Sequence, residues 1–216
     1  MSTVVILCEV LKDEVTEICK KYNVKNPLIY MDSKLHVNTD RLRKELQRVI
    51  NYVSYADKII LCFGRCGNAL IGLCSETSDI IFPKTDDCIS LITANNKIVE
   101  DMRCNTYFLS EGWIKSKSGI VSEYDRCLKR YGRDMCAAIF DNMFKNYTKL
   151  CYINTVVPQS RSAQTDKIAE ALKLEPQNID SDMSLLEKLL TSIPDPNIVS
   201  VKKGNAVTLH DFYERN

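Results

Sequence analysis

The sequence carries almost no net charge: 29 Lys and Arg stand against 28 Asp and Glu, a formal charge of +1. So even a balance gives no electrostatic footprint for nucleic acid or for an anionic membrane surface. No apolar run reaches the length of a membrane-spanning helix. The opening residues, MSTVVILCEV, lack a basic region ahead of their short apolar run, so they do not read as a secretory signal. Together these absences point to a cytoplasmic protein with no membrane and no nucleic-acid partner. There is no CxxC pair, no GK[ST] phosphate loop and no GxGxxG fingerprint, so no standard nucleotide-binding loop is encoded. Internal repeats and low-complexity tracts are absent too.

Cysteine, by contrast, is plentiful, with ten in 216 residues. In a reducing compartment these are thiols rather than disulfides. Cys19, Cys62, Cys127, Cys136 and Cys151 fall in apolar or helical patterns and read as small packing residues. Cys8, Cys66 and Cys88 do not.

The pattern of elements alternates. Val4–Cys8 is a β-branched run and predicts a strand, and Leu11, Val15 and Ile18 follow at helical spacing to about Lys21. Pro27–Met31 predicts a second strand. Asn38 or Thr39 caps a helix whose apolar stripe is Leu42, Leu46, Val49, Ile50 and Val53. The central stretch, KIILCFGRCGNALIGL at 58–73, predicts a buried strand, a glycine-bearing turn and then a short helix opening at Ala69–Leu73. Further strands are expected at Asp79–Phe82, Thr106–Leu109, Leu150–Ile153 and Ile198–Val201. Further helices are expected over 122–146 (bent at Gly132), 167–172 and 183–190. Strands alternating with helices, with apolar rather than alternating strands, predict an α/β fold. Its sheet is mostly parallel, Rossmann-like and covered by helices on both faces. The length suits a single α/β domain over 1–216, with a helical sub-division near 105–150.

In such folds ligands gather beyond the carboxyl ends of the strands. Cys8 ends the first strand, His36 lies after the second, Cys66 is in the turn after the central strand, and Cys88 follows the Asp79–Phe82 strand. Thiolates and imidazole suit zinc or an iron–sulfur cluster, so Cys8, Cys66, Cys88 and His36 are the candidate metal ligands. Gly64 and Gly67 allow φ > 0 and close approach to the backbone. With Asn68 and Asp87 they form the candidate cofactor-binding turn. A strand, glycine turn and helix start would also cradle an anion. A second reading needs only Cys66. Beside Arg65 and near a helix N-terminus, its thiol would have a lowered pKa and act as a nucleophile, with His36 as base. Asp86 and Asp87 are placed to orient a ligand. Trp113 is placed to wall a pocket, and His210 reads as surface.

Several elements recur together in one known pattern. They are Cys8-Glu-Val-Leu11, Leu35-His36, Gly64-x-Cys-Gly-Asn68, Asp87-Cys88, Tyr107-x-Leu-x-x-Gly-Trp113, Tyr131-Gly132 and Tyr152-Ile-Asn-Thr155. In this the chain resembles the family of methanogens and other anaerobes catalogued as domain of unknown function "sixteen thirty-eight". It departs from the pattern at Val156 and at Lys173-Leu174, where members tend to carry a glycine and a Gly-Trp. Members are often encoded beside corrinoid-dependent methyltransferases. The resemblance therefore implies a role near methyl transfer, with a corrinoid protein or methyltransferase as partner. The functional expectation is a metal- or iron–sulfur-binding protein of anaerobic one-carbon metabolism. The alternative is an accessory protein that binds a corrinoid protein or a small-molecule ligand.

Overall fold

The apolar run Thr3–Cys8 forms β1, an interior strand of a five-stranded sheet. The computed structural model describes residues 2–155 and 163–213; Val156 lies outside them. The chain makes two compact units, Met1–Asn95 with Asp182–Asn216, and Asn96–Ser181.

In the larger unit β1 is followed by α1 (Lys12–Lys21), β2 (Leu28–Met31) and α2 (Thr39–Tyr52). Then come β3 (Lys58–Cys62), β4 (Asp79–Pro83) and α3 (Cys88–Ile92). The smaller unit holds α4 (Lys97–Met102), β5 (Thr106–Leu109), α5 (Glu111–Lys115) and α6 (Ile120–Met143). It continues with β6 (Lys149–Asn154), α7 (Ala163–Ala171) and β7 (Glu175–Asp180). The larger unit closes with α8 (Ser184–Thr191), β8 (Ile198–Val201) and α9 (His210–Tyr213).

The larger sheet has the order β2-β1-β3-β4-β8. Its first four strands are parallel, and β8 runs antiparallel against β4. Val5 is paired to Leu28 on one side and to Ile60 on the other. The chain leaves β1 towards β2 and then crosses back past β1 to reach β3. Right-handed crossovers in opposite directions put α1 and α2 on opposite faces. That is why β1 and β3 are apolar at consecutive positions: Val4–Leu7 and Ile59–Leu61 are all buried. On its face α2 buries Leu42, Leu46 and Ile50, and Asn38 caps it by accepting from the Arg41 N–H at 2.9 Å. On the other face α8 packs on α1, β3 and β4. Each such leucine contributes roughly 1.5–3 kcal/mol by leaving water.

One local expectation is corrected. Ala69–Leu73 does not open a helix. Cys66, Gly67 and Asn68 have φ of 47°, 66° and 74°, and Gly72 has 88°, a left-handed run that cannot seed a right-handed helix. The apolar pattern there is a buried loop instead, with Ala69, Leu70 and Leu73 at 0% exposure. Its backbone pairs with the C-terminal stretch, Gly72 N–H to the Val207 carbonyl and Val207 N–H to the Leu73 carbonyl, both at 2.8 Å. Strand β7 is an element the sequence reading did not contain, since its sequence EPQNID carries no apolar run. Among the described strands it pairs only with β6, as an edge strand where Pro176 is tolerated.

The smaller unit has a parallel sheet ordered β5-β6-β7. Gly132 breaks α6 with φ 75° and ψ 177°. The two halves fold back on each other, so Tyr124 meets Phe140 edge-on at 5.1 Å. Trp113, expected as a pocket wall, packs half-buried against this unit's core.

Candidate functional site

The strand order makes β1 and β3 neighbours that lead away in opposite directions, so the crevice beyond their carboxyl ends is a topological switch point. Cys8 is the last residue of β1, and Cys66 lies in the turn that follows β3. The Cys66 thiol lies within electrostatic reach of the Cys8 thiol. Burial pushes the Cys66 thiol well above its ordinary value, and the neighbouring Cys8 thiol and Asp87 carboxylate push it further. Cys8 is itself pushed up to about 12, first by burial and then by Glu9 and Asp32, while a hydrogen bond from Val10 pulls the other way.

The turn is locked from several sides. Arg65 N–H donates to the Thr85 carbonyl at 2.7 Å, and Cys66 N–H to the Asp86 carbonyl at 2.8 Å. Gly64 lies against the backbone of Asp86 and Asp87. From α2, Thr39 Oγ1 would sit 3.0 Å from a Cβ on Gly67, and Arg43 donates to the Asn68 carbonyl at 2.8 Å. Arg65 is ion-paired to Asp86 at 2.8 Å and donates to the phenol oxygen of Tyr213, whose ring lies 5.6 Å beneath the guanidinium. The Thr85 hydroxyl beside this turn is buried and has no hydrogen-bond partner among the described residues.

The other predicted residues are placed as follows. His36 is in the 3-10 turn after β2 and stacks on Phe63, centroids 6.4 Å apart. Burial lowers its pKa, and a hydrogen bond with the Ser33 backbone offsets part of that. Its imidazole is therefore neutral at physiological pH. Asp87 caps α3, accepting from the Ser90 N–H at 3.0 Å, and Cys88 is the first residue of that helix. His210 is exposed, as expected.

Cys8 and Cys66 are thus brought together. Among the described residues, no group of three or more His, Cys, Asp or Glu side chains is arranged to hold a metal ion. The expectation of an activated Cys66 is corrected. The left-handed turn leads into no helix and Arg65 is committed to Asp86, so a hydrogen bond with the Gly64 backbone offsets only part of the cost of burying a thiolate. Asp86, expected to orient a ligand, instead holds Arg65. Thr39 entered the sequence reading only as a possible helix cap, and Arg43, Thr85 and Tyr213 did not enter it at all. They reach the turn from distant elements, and no local spacing signals them.

Residues 30–190 match the model of a family described as "Protein of unknown function (DUF1638)". No curated protein matches the chain. A solved structure titled "Crystal structure of sugar transporter from Clostridium phytofermentans" aligns at 12% identity with a TM-score of 0.33, over 94% of this chain and 100% of that one. A likeness that slight carries no argument.

Proposed function

This chain belongs to the DUF1638 family, and we propose that it is a metal-binding protein of one-carbon metabolism whose site is the crevice between β1 and β3. One observation carries the reading: Cys8, buried, and Cys66, partly buried, stand within electrostatic reach at the switch point of a parallel sheet. A buried thiol is costly to ionise, and a soft cation is what makes its thiolate the favoured form. The donor set also discriminates between metals. A [4Fe–4S] cluster takes four cysteines, whereas two protein thiols fit a zinc-like ion that keeps positions open for an exogenous ligand. When bound, such an ion keeps a thiol acceptor ionised at neutral pH, which is the chemistry a methyl acceptor needs. The chain's own residues position the two thiols, and the Arg65–Asp86 pair and Tyr213 close one side of the turn that carries Cys66. A corrinoid protein or methyltransferase is the partner class that the family resemblance implies.

The test is purification without oxygen followed by elemental analysis. Wild type is expected to carry zinc or iron in stoichiometric amount. Cys8→Ser and Cys66→Ser should each lose most of it, because a hydroxyl is a poor soft ligand, while Cys127→Ser and Cys136→Ser keep it. Metal-free wild type, or equal metal in all four variants, overturns the proposal.

A further inference from the structure

The kink at Gly132 builds a second feature, in the smaller unit and independent of the thiol pair. Its φ of 75° with ψ of 177° is backbone that glycine alone holds comfortably. Beyond the Tyr124–Phe140 contact, the Cys136 thiol donates to the Tyr124 carbonyl at 3.9 Å. Residues of both helix halves line a cavity of about 610 Å³. That size falls within the roughly 300–1,000 Å³ of small-molecule sites, which are mostly apolar with a few placed polar groups. The lining has this character: Cys127, Phe140 and Met143 on the walls, Tyr131, Arg126 and Arg130 at the lip.

The two arginines differ. Arg126 is committed, ion-paired to Glu123 and donating to the Lys117 carbonyl at 2.7 Å. Arg130 has no carboxylate partner among the described residues; its guanidinium lies 5.3 Å over the Tyr131 ring. Tyr131 and Met143 are 51% and 57% exposed, apolar surface left in water beside an unpaired cation.

We propose that this cavity binds a small amphipathic monoanion, a carboxylate on a short aliphatic or aromatic body. The carboxylate pairs with Arg130, whose planar fork matches it with two parallel hydrogen bonds. The body lies along Tyr131, Phe140 and Met143. Charge complementarity selects this class. Two guanidiniums against the one Glu123 carboxylate leave a single positive charge at the mouth, which a neutral molecule leaves unpaired and a cation meets with repulsion.

The experiment titrates octanoate, and octanamide as its uncharged counterpart, into the full chain by calorimetry. Octanoate is expected to bind saturably at one site, about tenfold tighter than octanamide, as one charge-assisted pair gives. Arg130→Ala should remove that tenfold preference and leave octanamide unchanged. Met143→Glu should weaken octanoate more than octanamide, and Lys129→Ala should alter neither. Arg130, Met143 and Lys129 are exposed, and melting temperatures matching wild type certify the folds. No saturable octanoate binding, equal affinity for the two probes, or undiminished octanoate affinity in Arg130→Ala overturns the proposal.

Discussion

Gly64 lies so close to Asp87 that a Cβ built on it would meet the Asp87 nitrogen at 2.5 Å. Two strand ends, those of β3 and β4, are joined through this one missing side chain. Gly64→Ala should therefore cost about 1–3 kcal/mol by overpacking, and more if the turn cannot shift. Gly72 is the comparison: its φ is 88°, but nothing lies within 4 Å of its added Cβ. Gly72→Ala should cost only the roughly 1–2 kcal/mol of left-handed strain. Urea unfolding of the two variants checks the order, and an equal or smaller loss for Gly64→Ala would sink the argument.

Stability should fall on the alkaline side. Cys8 is pushed from an ordinary 9.0 up to about 12. The folded chain keeps this proton where the unfolded chain has released it, so the unfolded state binds fewer protons as pH rises. The contribution is whole below pH 9 and is lost as pH climbs towards 12. Every tenfold difference in proton affinity between the folded and unfolded chain is worth about 1.4 kcal/mol, so the full loss is on the order of a few kcal/mol. Cys66 moves in the same direction. Cys8→Ala should flatten the limb above pH 9 even though it lowers stability at neutral pH. Denaturation midpoints across that range are the measurement; an unchanged slope refutes the assignment.

Gly132→Ala should destabilise the smaller unit by about 1–3 kcal/mol, the cost of holding a side chain in a glycine-only region. No neighbour lies within 4 Å of the added Cβ, so the whole effect is backbone. Hydrogen exchange should show faster opening of α6 amides in the variant. Identical protection in wild type and variant would contradict the kink.

Arg65 ties the C-terminal stretch to the turn through Tyr213, helped by Phe212 packing on Phe82 at 5.1 Å. Arg65→Ala should let proteases cut the stretch near Val207–Tyr213 several-fold faster. Arg65→Lys should do the same to a lesser degree, because a point charge cannot reproduce the planar fork. Equal cleavage of all three proteins would show that the tie is not energetically important.

Cys88→Ser separates two versions of the metal site. Cys8 and Cys66 lie together, and no third donor completes a group among the described residues. Metal content should therefore fall in Cys66→Ser and survive in Cys88→Ser. Loss in both would mean that Cys88 joins the site when metal binds.

Much of the fold was legible because the signals are local. The apolar runs at Val4–Cys8 and Lys58–Phe63, the stripe of α2 and the Asn38 cap each depend on residues a few positions apart. Gly67 at φ 66° was legible for the same reason. The short helix expected at Ala69–Leu73 mistook burial for periodicity. Those apolar residues are buried by the C-terminal stretch, which no local window contains. Strand β7 escaped because its polar residues form a strand only against β6.

The sequence by itself determined the class of fold and the positions of its cysteines at strand ends. Hydrophobic periodicity and glycine are enough to mark where strands stop. Which of those ends become neighbours is a matter of strand order, and tertiary structure decided it. The crossing from β2 past β1 to β3 brought Cys8 to Cys66. The same packing buried both thiols and gave Arg65 to Asp86, which turned an expected thiolate into a protonated thiol. A pKa follows from desolvation and from partners distant in sequence, and neither is written in the spacing of the chain.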